Sequence, residues 1–557
     1  MRITIAQLNF HIGNFRSNLE KMKNAVDAAR KEDSDLVIFS EMSVSGYPPL
    51  DLLERKEFID QCQSAIRELL PVSHEIGIIA GTPTLNPLPE GKNLFNAACL
   101  LYNGEIAAVV HKTLLPTYDI FDEYRHFEPN KSFHVVPFKG EKIALTICED
   151  LWDDQPLEQE FGKSRLYTIS PMEELARDNP GFVINIAASP FAYNRIEAKK
   201  KVFIRKARKY HLPVLNVNQI GAQTELIFEG GSMIVDARGN IRHQLKYFDE
   251  DIYHFNLKDL TGTPGKEESK PGKDYVPMVY DALILGLHDF FGKMNFRKAV
   301  LGLSGGIDSA VSLAIAVKAL GNKNVHAILM PSAFSSETSV TDAVELSETL
   351  KVSYDIIPIN KMYDTFTKAL DPYFKKKPFD VTEENIQARI RAVLLMAFAN
   401  KFGYILLNTS NKSEAAVGYG TLYGDMAGGI SVLGDVYKSD VYKLARYINR
   451  EKIIIPENIL NKPPSAELSP GQKDSDTLPD YSMLDQILYH YIELLTPVEK
   501  IIQKGYDKNT VLKTIRWVNQ TEYKRYQAPP ILRISSKAFG AGRRMPLVAK
   551  YDEPFKK

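Results

Sequence analysis

The chain has 557 residues, 44% hydrophobic and 25% charged, which excludes a disordered chain, a collagen-like chain and a disulfide scaffold. Lys and Arg total 69 against 69 for Asp and Glu, so the net charge of zero gives no basic field for nucleic acid and no acidic tail. At ~150 residues per domain the length predicts three to four units, or two large ones. No apolar run approaches the ~20 residues of a membrane helix. MRITIAQLNF alternates like a strand and lacks the layout of a leader. The cysteines are Cys62, Cys99 and Cys148, a sparse, odd set that points to a reducing compartment, so the expected location is the cytoplasm.

The first ~260 residues mix strand-like and helix-like segments. Ile3–Leu8 alternates, and Asn18–Arg30 carries apolar residues at helical spacing. Leu36–Phe39 and Ile76–Ala80 are short apolar runs, and Asn103-Gly104 joins two runs as a hairpin turn. Lys142–Ile147 and Phe182–Ala187 read as strands, Arg195–His211 as a basic amphipathic helix, and Val214–Val217, Met233–Val235 and Ile241–Leu245 as strands. This pattern predicts an α-β-β-α sandwich, two sheets face to face between helices. Residues 261–277, rich in Gly, Pro, Lys and Glu, are the expected linker between a domain over 1–260 and one over 278–557. Beyond them strands at Ala299–Leu303, Val325–Met330, Tyr354–Ile359 and Tyr404–Leu407 alternate with helices at Asp308–Leu320, Val340–Leu350 and Glu383–Lys401. That rhythm predicts a doubly wound parallel sheet. Thr382 is read as the N-cap of the long helix.

The sharpest motif is GLSGGIDS: Gly302, Leu303, Ser304, Gly305, Gly306, Ile307, Asp308 and Ser309. It follows a strand and opens a helix, where backbone N–H groups and the helix dipole favour an anion. No Walker lysine is present. Asp308 makes sense beside phosphates if a divalent cation lies between them. SGGIDS resembles the pyrophosphatase-type ATP loop, which implies cleavage of ATP between the α- and β-phosphates to give an adenylate.

Downstream, NIQARIR places Asn385 and Arg389 on one helix face and Gln387 and Arg391 on another. NTSNKSE sets Thr409 and Glu414 at the carboxyl end of a strand. With DVYKSDVYKLA and SSKAFGAGRR, these segments resemble the NAD synthetase family across most of Lys298–Arg544. The resemblance implies that ATP is held by Gly302–Ser309 and Thr409, and nicotinic acid adenine dinucleotide (deamido-NAD) by Asn385, Glu414 and Lys537. It implies Mg²⁺ on Asp308 and Glu414, with Arg391 and Lys438 as weaker phosphate contacts.

The N-terminal half sets Glu41, Lys112 and Cys148 at the ends of three strands. A cysteine attacks an amide as a thiolate, so it needs a cation and a base. Lys112 can lower the thiol pKa and hold an oxyanion; Glu41 can carry the proton. Cys62 and Cys99 lack flanking acid–base residues and are assigned to packing. FSEMSVSGYPP, HKTLLPTYDIFDEYRHFEP and TICEDLW resemble the carbon–nitrogen hydrolase (nitrilase) superfamily. That resemblance implies glutamine hydrolysis by Glu41, Lys112 and Cys148, with Glu123 as a second glutamate. It further implies glutamine contacts from Tyr118, Ser189 and Arg195.

Together the halves resemble a ligase that makes NAD with glutamine as the amido donor: an α/β chain with a nitrilase-like sandwich followed by an ATP-pyrophosphatase-type domain. The expected partners are ATP, nicotinic acid adenine dinucleotide and glutamine, with Mg²⁺ as cofactor, no nucleic acid and no membrane. A homo-oligomer follows by resemblance only. Rivals were other glutamine-fed adenylating ligases, whose glutaminase halves need a cysteine at position 2 or a Cys–His pair, and tRNA sulfur transfer. All three cysteines precede residue 149, which leaves the second half without a sulfur carrier. A nucleotide-sensing module fused to a nitrilase was the third.

Overall fold

Along Leu36–Phe39 every residue is apolar, and the computed structural model shows why both faces of this strand are so. Leu36 and Ile38 pack into a core between two sheets, while Val37 and Phe39 pack against helices. The structure describes residues 1–154, 165–261, 274–375 and 377–550. It divides into two compact units, Met1–Lys273 and Asp274–Lys557.

In the first unit the strands are β1 (Arg2–Gln7), β2 (Leu36–Ile38), β3 (Gly77–Leu85), β4 (Leu94–Tyr102), β5 (Glu105–His111), β6 (Val136–Phe138) and β7 (Glu141–Ile147). They continue as β8 (Phe182–Ala187), β9 (Val214–Asn218), β10 (Ile220–Gln223), β11 (Leu226–Glu229), β12 (Met233–Val235), β13 (Ile241–Gln244) and β14 (Asp251–Asn256). Two six-stranded sheets result, ordered β14-β1-β2-β3-β4-β5 and β13-β12-β9-β8-β7-β6. Ile3, Ile5, Ile79 and Leu100 of one face Ile143, Leu145, Ile184 and Leu215 of the other in a shared core. Helices α1 (Phe15–Lys31) and α2 (Lys56–Leu69) cover the first sheet; α3 (Pro171–Ala176) and α4 (Ile196–Tyr210) cover the second. The expected α-β-β-α sandwich is the fold found. Ile147, fully buried at the end of β7, carries Cys148 as its neighbour; truncating such a side chain to alanine costs ~2–5 kcal/mol.

The hairpin at Asn103-Gly104 forms with φ of 50° and 82°, the left-handed pair of a two-residue turn. Helix α2 was not anticipated, although Phe58, Ile59, Cys62, Ala65, Ile66 and Leu69 form its buried stripe. Of the predicted linker, residues 262–273 lie outside the described residues, and Val276 and Pro277 already belong to helix α5 (Val276–Lys293). Proline at the second helical position sacrifices no intrahelical hydrogen bond.

The second unit holds β15 (Lys298–Gly302), β16 (Val325–Leu329), β17 (Ser353–Ile356), β18 (Tyr404–Asn408) and β19 (Ile430–Ser431) in the order β17-β16-β15-β18-β19. Every pair is parallel. Helices α6 (Ile307–Leu320), α7 (Glu337–Leu350), α8 (Asn360–Phe374), α9 (Val381–Phe402), α10 (Lys412–Val417) and α11 (Lys438–Ile448) connect and flank the strands. This is the expected doubly wound sheet. The N-cap of α9 is Asp380, not Thr382: the Asp380 carboxylate accepts from Thr382 N at 2.7 Å, and Glu383 returns the bond to Asp380 N at 2.9 Å. Among the described residues no helix is long and apolar enough to cross a membrane.

Candidate functional site

The first unit gathers its candidates where strands end. Lys112 leaves β5 with its side chain sealed from solvent, and its Nζ lies 2.8 Å from Glu41 Oε1 and 2.8 Å from Glu123 Oε1. Glu41, just past β2, also accepts from Asn96 Nδ2 at 2.7 Å and from Ala188 N at 3.0 Å. Tyr47 OH donates to Glu123 at 2.8 Å. Every oxygen of Glu41 is thereby aimed. Gly81 permits the arrangement, because a Cβ there would lie 2.3 Å from Met42 N, inside the backbone that carries Glu41.

Cys148 follows β7 with φ at 45°, a left-handed conformation uncommon outside glycine and asparagine. It is buried. Burial pushes its thiol well up, Glu41 adds to that and Lys112 pulls the other way. Burial and Glu41 thus oppose the lowering expected from Lys112. Burial raises Glu123 too, against the pull of Lys112, and the nearby Glu41 carboxylate adds to the rise. Cys62 and Cys99 are buried in apolar clusters with thiols pushed up to about 12, as packing residues should be.

Two acids beside Cys148 escaped the sequence reading. Asp150 accepts from Thr113 N at 3.0 Å and Leu114 N at 2.9 Å with one oxygen, and from Ile147 N at 3.1 Å with the other. It thus clasps the segment after Lys112 to the end of β7. Glu149 is buried, and its Oε1 takes both Tyr118 OH and Tyr167 OH at 2.9 Å. Arg195, exposed at the N-cap of α4, acts electrostatically on both Tyr118 and Glu149. Ser189 follows β8 and its N–H donates to Asn218 Oδ1 at 2.9 Å.

In the second unit a cavity of about 270 Å³ opens at the carboxyl ends of β15 and β18. Gly302, Leu303, Ser304, Gly306, Ile307, Asp308 and Ser309 line it, as does Thr409. Gly305 turns away instead, with φ at 75°; a Cβ there would lie 2.2 Å from Ser339 O. Ser304 Oγ and Ser309 Oγ lie 3.2 Å apart beside the start of α6. Asp308 Oδ2 receives Lys438 Nζ at 2.5 Å, and Glu414 Oε1 stands 3.5 Å from the same nitrogen. Burial and Asp308 raise Glu414, while Lys438 opposes them. Two hard-oxygen donors converging on one positive charge beside a phosphate-type loop fit the chemistry of Mg²⁺. Arg391 also lines the cavity, and its Nε donates to Met330 O at 3.1 Å. Burial pushes its guanidinium down to about 10, still charged at neutral pH.

Two predicted residues do not line this cavity. Asn385 Oδ1 accepts from Thr421 OH at 2.6 Å. Lys537 offers its carbonyl to Lys412 Nζ at 3.0 Å, and Lys412, fully buried, also meets Asp435, Glu493 and Ser535 within 2.9 Å.

The chain matches the family model for NAD synthase over residues 279–528 and that for carbon–nitrogen hydrolase over residues 2–157. It is 42% identical to the glutamine-dependent NAD(+) synthetase of Synechocystis over 99% of both chains. It is 39% identical to that of Thermotoga maritima over 100% of this chain and 99% of the relative. The solved glutamine-dependent NAD+ synthetase of Acinetobacter baumannii, a complex with ADP, is 38% identical with a TM-score of 0.77 over 98% of each chain. The enzyme of Cytophaga hutchinsonii, 19% identical with a TM-score of 0.83, covering 100% of this chain and 98% of its own, shares the fold. With both halves matched and the whole length covered, the chain belongs to the glutamine-dependent NAD(+) synthetase family.

Proposed function

We propose that this chain hydrolyses glutamine in residues 1–260 and uses the ammonia in residues 278–557 to amidate the nicotinate carboxyl of nicotinic acid adenine dinucleotide, with 261–277 as linker. The products are NAD, AMP, pyrophosphate and glutamate. Lys112, held between Glu41 and Glu123 at 2.8 Å from each, carries this reading for the first half. Cys148 is the nucleophile. Glu41 takes the thiol proton as the sulfur attacks the side-chain amide and hands it to the leaving nitrogen. Lys112 stabilises the oxyanion, and Glu123 keeps Lys112 in place. Tyr118, Ser189 and Arg195 contact glutamine, Arg195 through its carboxylate. Glu149 receives the α-ammonium, since it is a buried carboxylate with no cation within ion-pair distance among the described residues.

In the second half Gly302–Ser309 and Thr409 hold ATP. Asn385, Glu414 and Lys537 hold the dinucleotide, although the side chains nearest the cavity favour Glu414 among the three. Asp308 and Glu414 hold Mg²⁺, which when bound neutralises phosphate charge. Lys438 supplies a second positive charge near the departing pyrophosphate, and Arg391 a third. The carboxyl becomes an electrophile once it is joined to AMP, and ammonia displaces AMP. The chain works in the cytoplasm as a homo-oligomer, a setting its three free cysteines suit.

The test is product analysis with ATP, deamido-NAD, Mg²⁺ and glutamine, omitting one at a time. NAD and AMP should form only with ATP, Mg²⁺, deamido-NAD and a nitrogen source together, and ammonium should replace glutamine. ATP binding without pyrophosphate release would refute the ligase reading.

A further inference from the structure

Cys148 also borders a second chamber in the first unit, of about 20 Å³. Asn185, Ser189, Lys199, Asn216 and Glu229 form part of its wall, whereas Glu41, Lys112, Tyr118, Glu149 and Arg195 do not. It shares Cys148 and Ser189 with the space in which glutamine is recognised, and none of the other residues named there.

Its wall is chemically one-sided. Asn185 Oδ1, Asn216 Oδ1 and Glu229 Oε2 are all buried and have no hydrogen-bond partner. Their companion atoms are committed where they are known: Asn185 Nδ2 donates to Thr146 Oγ1 at 3.0 Å and to Cys148 O at 3.3 Å. Glu229 Oε1 takes Lys199 Nζ at 2.5 Å, and that nitrogen also reaches Pro190 O at 2.7 Å. Three orphaned acceptors around so small a space call for one molecule that brings at least two donors. The volume fits a single water-sized species. The pairing of Glu229 with Lys199 leaves no unbalanced negative charge to call for a cation.

We propose that this chamber holds the water that hydrolyses the Cys148 thioester. The inference rests on the reading of Cys148 as the acyl carrier. A water that gives both hydrogens to these acceptors turns its lone pairs away from them. Its oxygen then bonds to the thioester carbon and the carbon–sulfur bond breaks; of its two protons one ends on the sulfur and the other on the new carboxyl group of glutamate. Asn185 fastens the chamber to the nucleophile, since its amide holds the Cys148 carbonyl.

Rapid-quench kinetics on the full-length enzyme with glutamine test this, following ammonia, glutamate and the intact mass of the protein. Asn216→Leu should release one ammonia per Cys148 at the wild-type rate, then produce glutamate ~10-fold more slowly, with a glutamyl adduct on Cys148 dominating the steady state. Asn216→Asp, which keeps an acceptor oxygen, should restore turnover to within ~3-fold. Glu229→Gln is the second variant, read the same way if Asn216→Leu does not fold. Wild-type glutamate release from Asn216→Leu, or a loss of the ammonia burst with no adduct, would overturn the proposal. So would normal glutamate release with delayed ammonia, which would make the chamber an ammonia site. Absence of any ammonia from the wild-type protein would instead remove the acyl-carrier reading beneath it.

Discussion

Lys112 and Glu41 meet at 2.8 Å with neither side chain touching solvent. Removing one partner of such a pair strands the other charge in a dry interior, at ~3–5 kcal/mol. Lys112→Met should therefore lower the thermal midpoint as well as abolish glutaminase activity. Lys112→Arg, which keeps the charge but not its compact geometry, should recover stability before it recovers catalysis. Calorimetry beside a glutaminase assay separates the two effects.

The halves carry separable chemistry if Cys148 is only a nucleophile. Cys148→Ala should reduce NAD formation from glutamine by ~10³-fold or more, and leave formation from added ammonium within ~3-fold of wild type. Loss of both activities would mean that the residue holds the fold.

Asp308 meets Lys438 at 2.5 Å in the cavity of the second unit. Asp308→Ala should suppress pyrophosphate release by ~10²-fold or more while glutamine hydrolysis persists. Unchanged NAD formation would refute a role for this carboxylate at the phosphates. Gly305→Ala probes the same loop through its backbone: the added carbon would fall 2.2 Å from Ser339 O at a φ of 75°. A cost of ~1–3 kcal/mol and a raised KM for ATP are expected.

Glu123 gives a pH signature. Its folded pKa lies above that of a free glutamate because it is buried, with Glu41 beside it. A folded state that binds the proton more tightly is favoured at low pH, and the benefit fades as pH rises through the folded pKa. The unfolding midpoint should thus carry a downward slope from about pH 5 to neutrality, which Glu123→Gln flattens. An identical slope in the variant would place the titration elsewhere.

Much of this site is legible in the sequence because each reacting group follows a short apolar run. Such runs announce strands, and these reacting groups lie just past strand ends. Glu41, Lys112, Cys148 and the glycine loop were legible for that reason. Glu149 and Asp150 were not, since their meaning depends on Tyr118 and Thr113, more than 30 residues away, and no spacing rule links them. The surroundings of Cys148 were only half legible for a related cause: a motif names the cation beside a thiol but not the burial or the carboxylates that oppose it. Asp380 is the cap rather than Thr382 because the Asp380–Glu383 pair closes a reciprocal box that a threonine two residues further on cannot form.

Lys412 binds the C-terminal stretch to the middle of its unit, through Asp435, Glu493, Ser535 and the carbonyl of Lys537. Ile534 N and Ser535 N meanwhile bond Asp435 at 2.8 and 2.7 Å. A chain cut ahead of Ile534 by a protease or a shortened clone would forfeit the Ser535 and Lys537 bonds to Lys412 and the backbone bonds to Asp435 in one step, leaving buried polar groups short of partners. Tolerance of trimming should therefore end abruptly there.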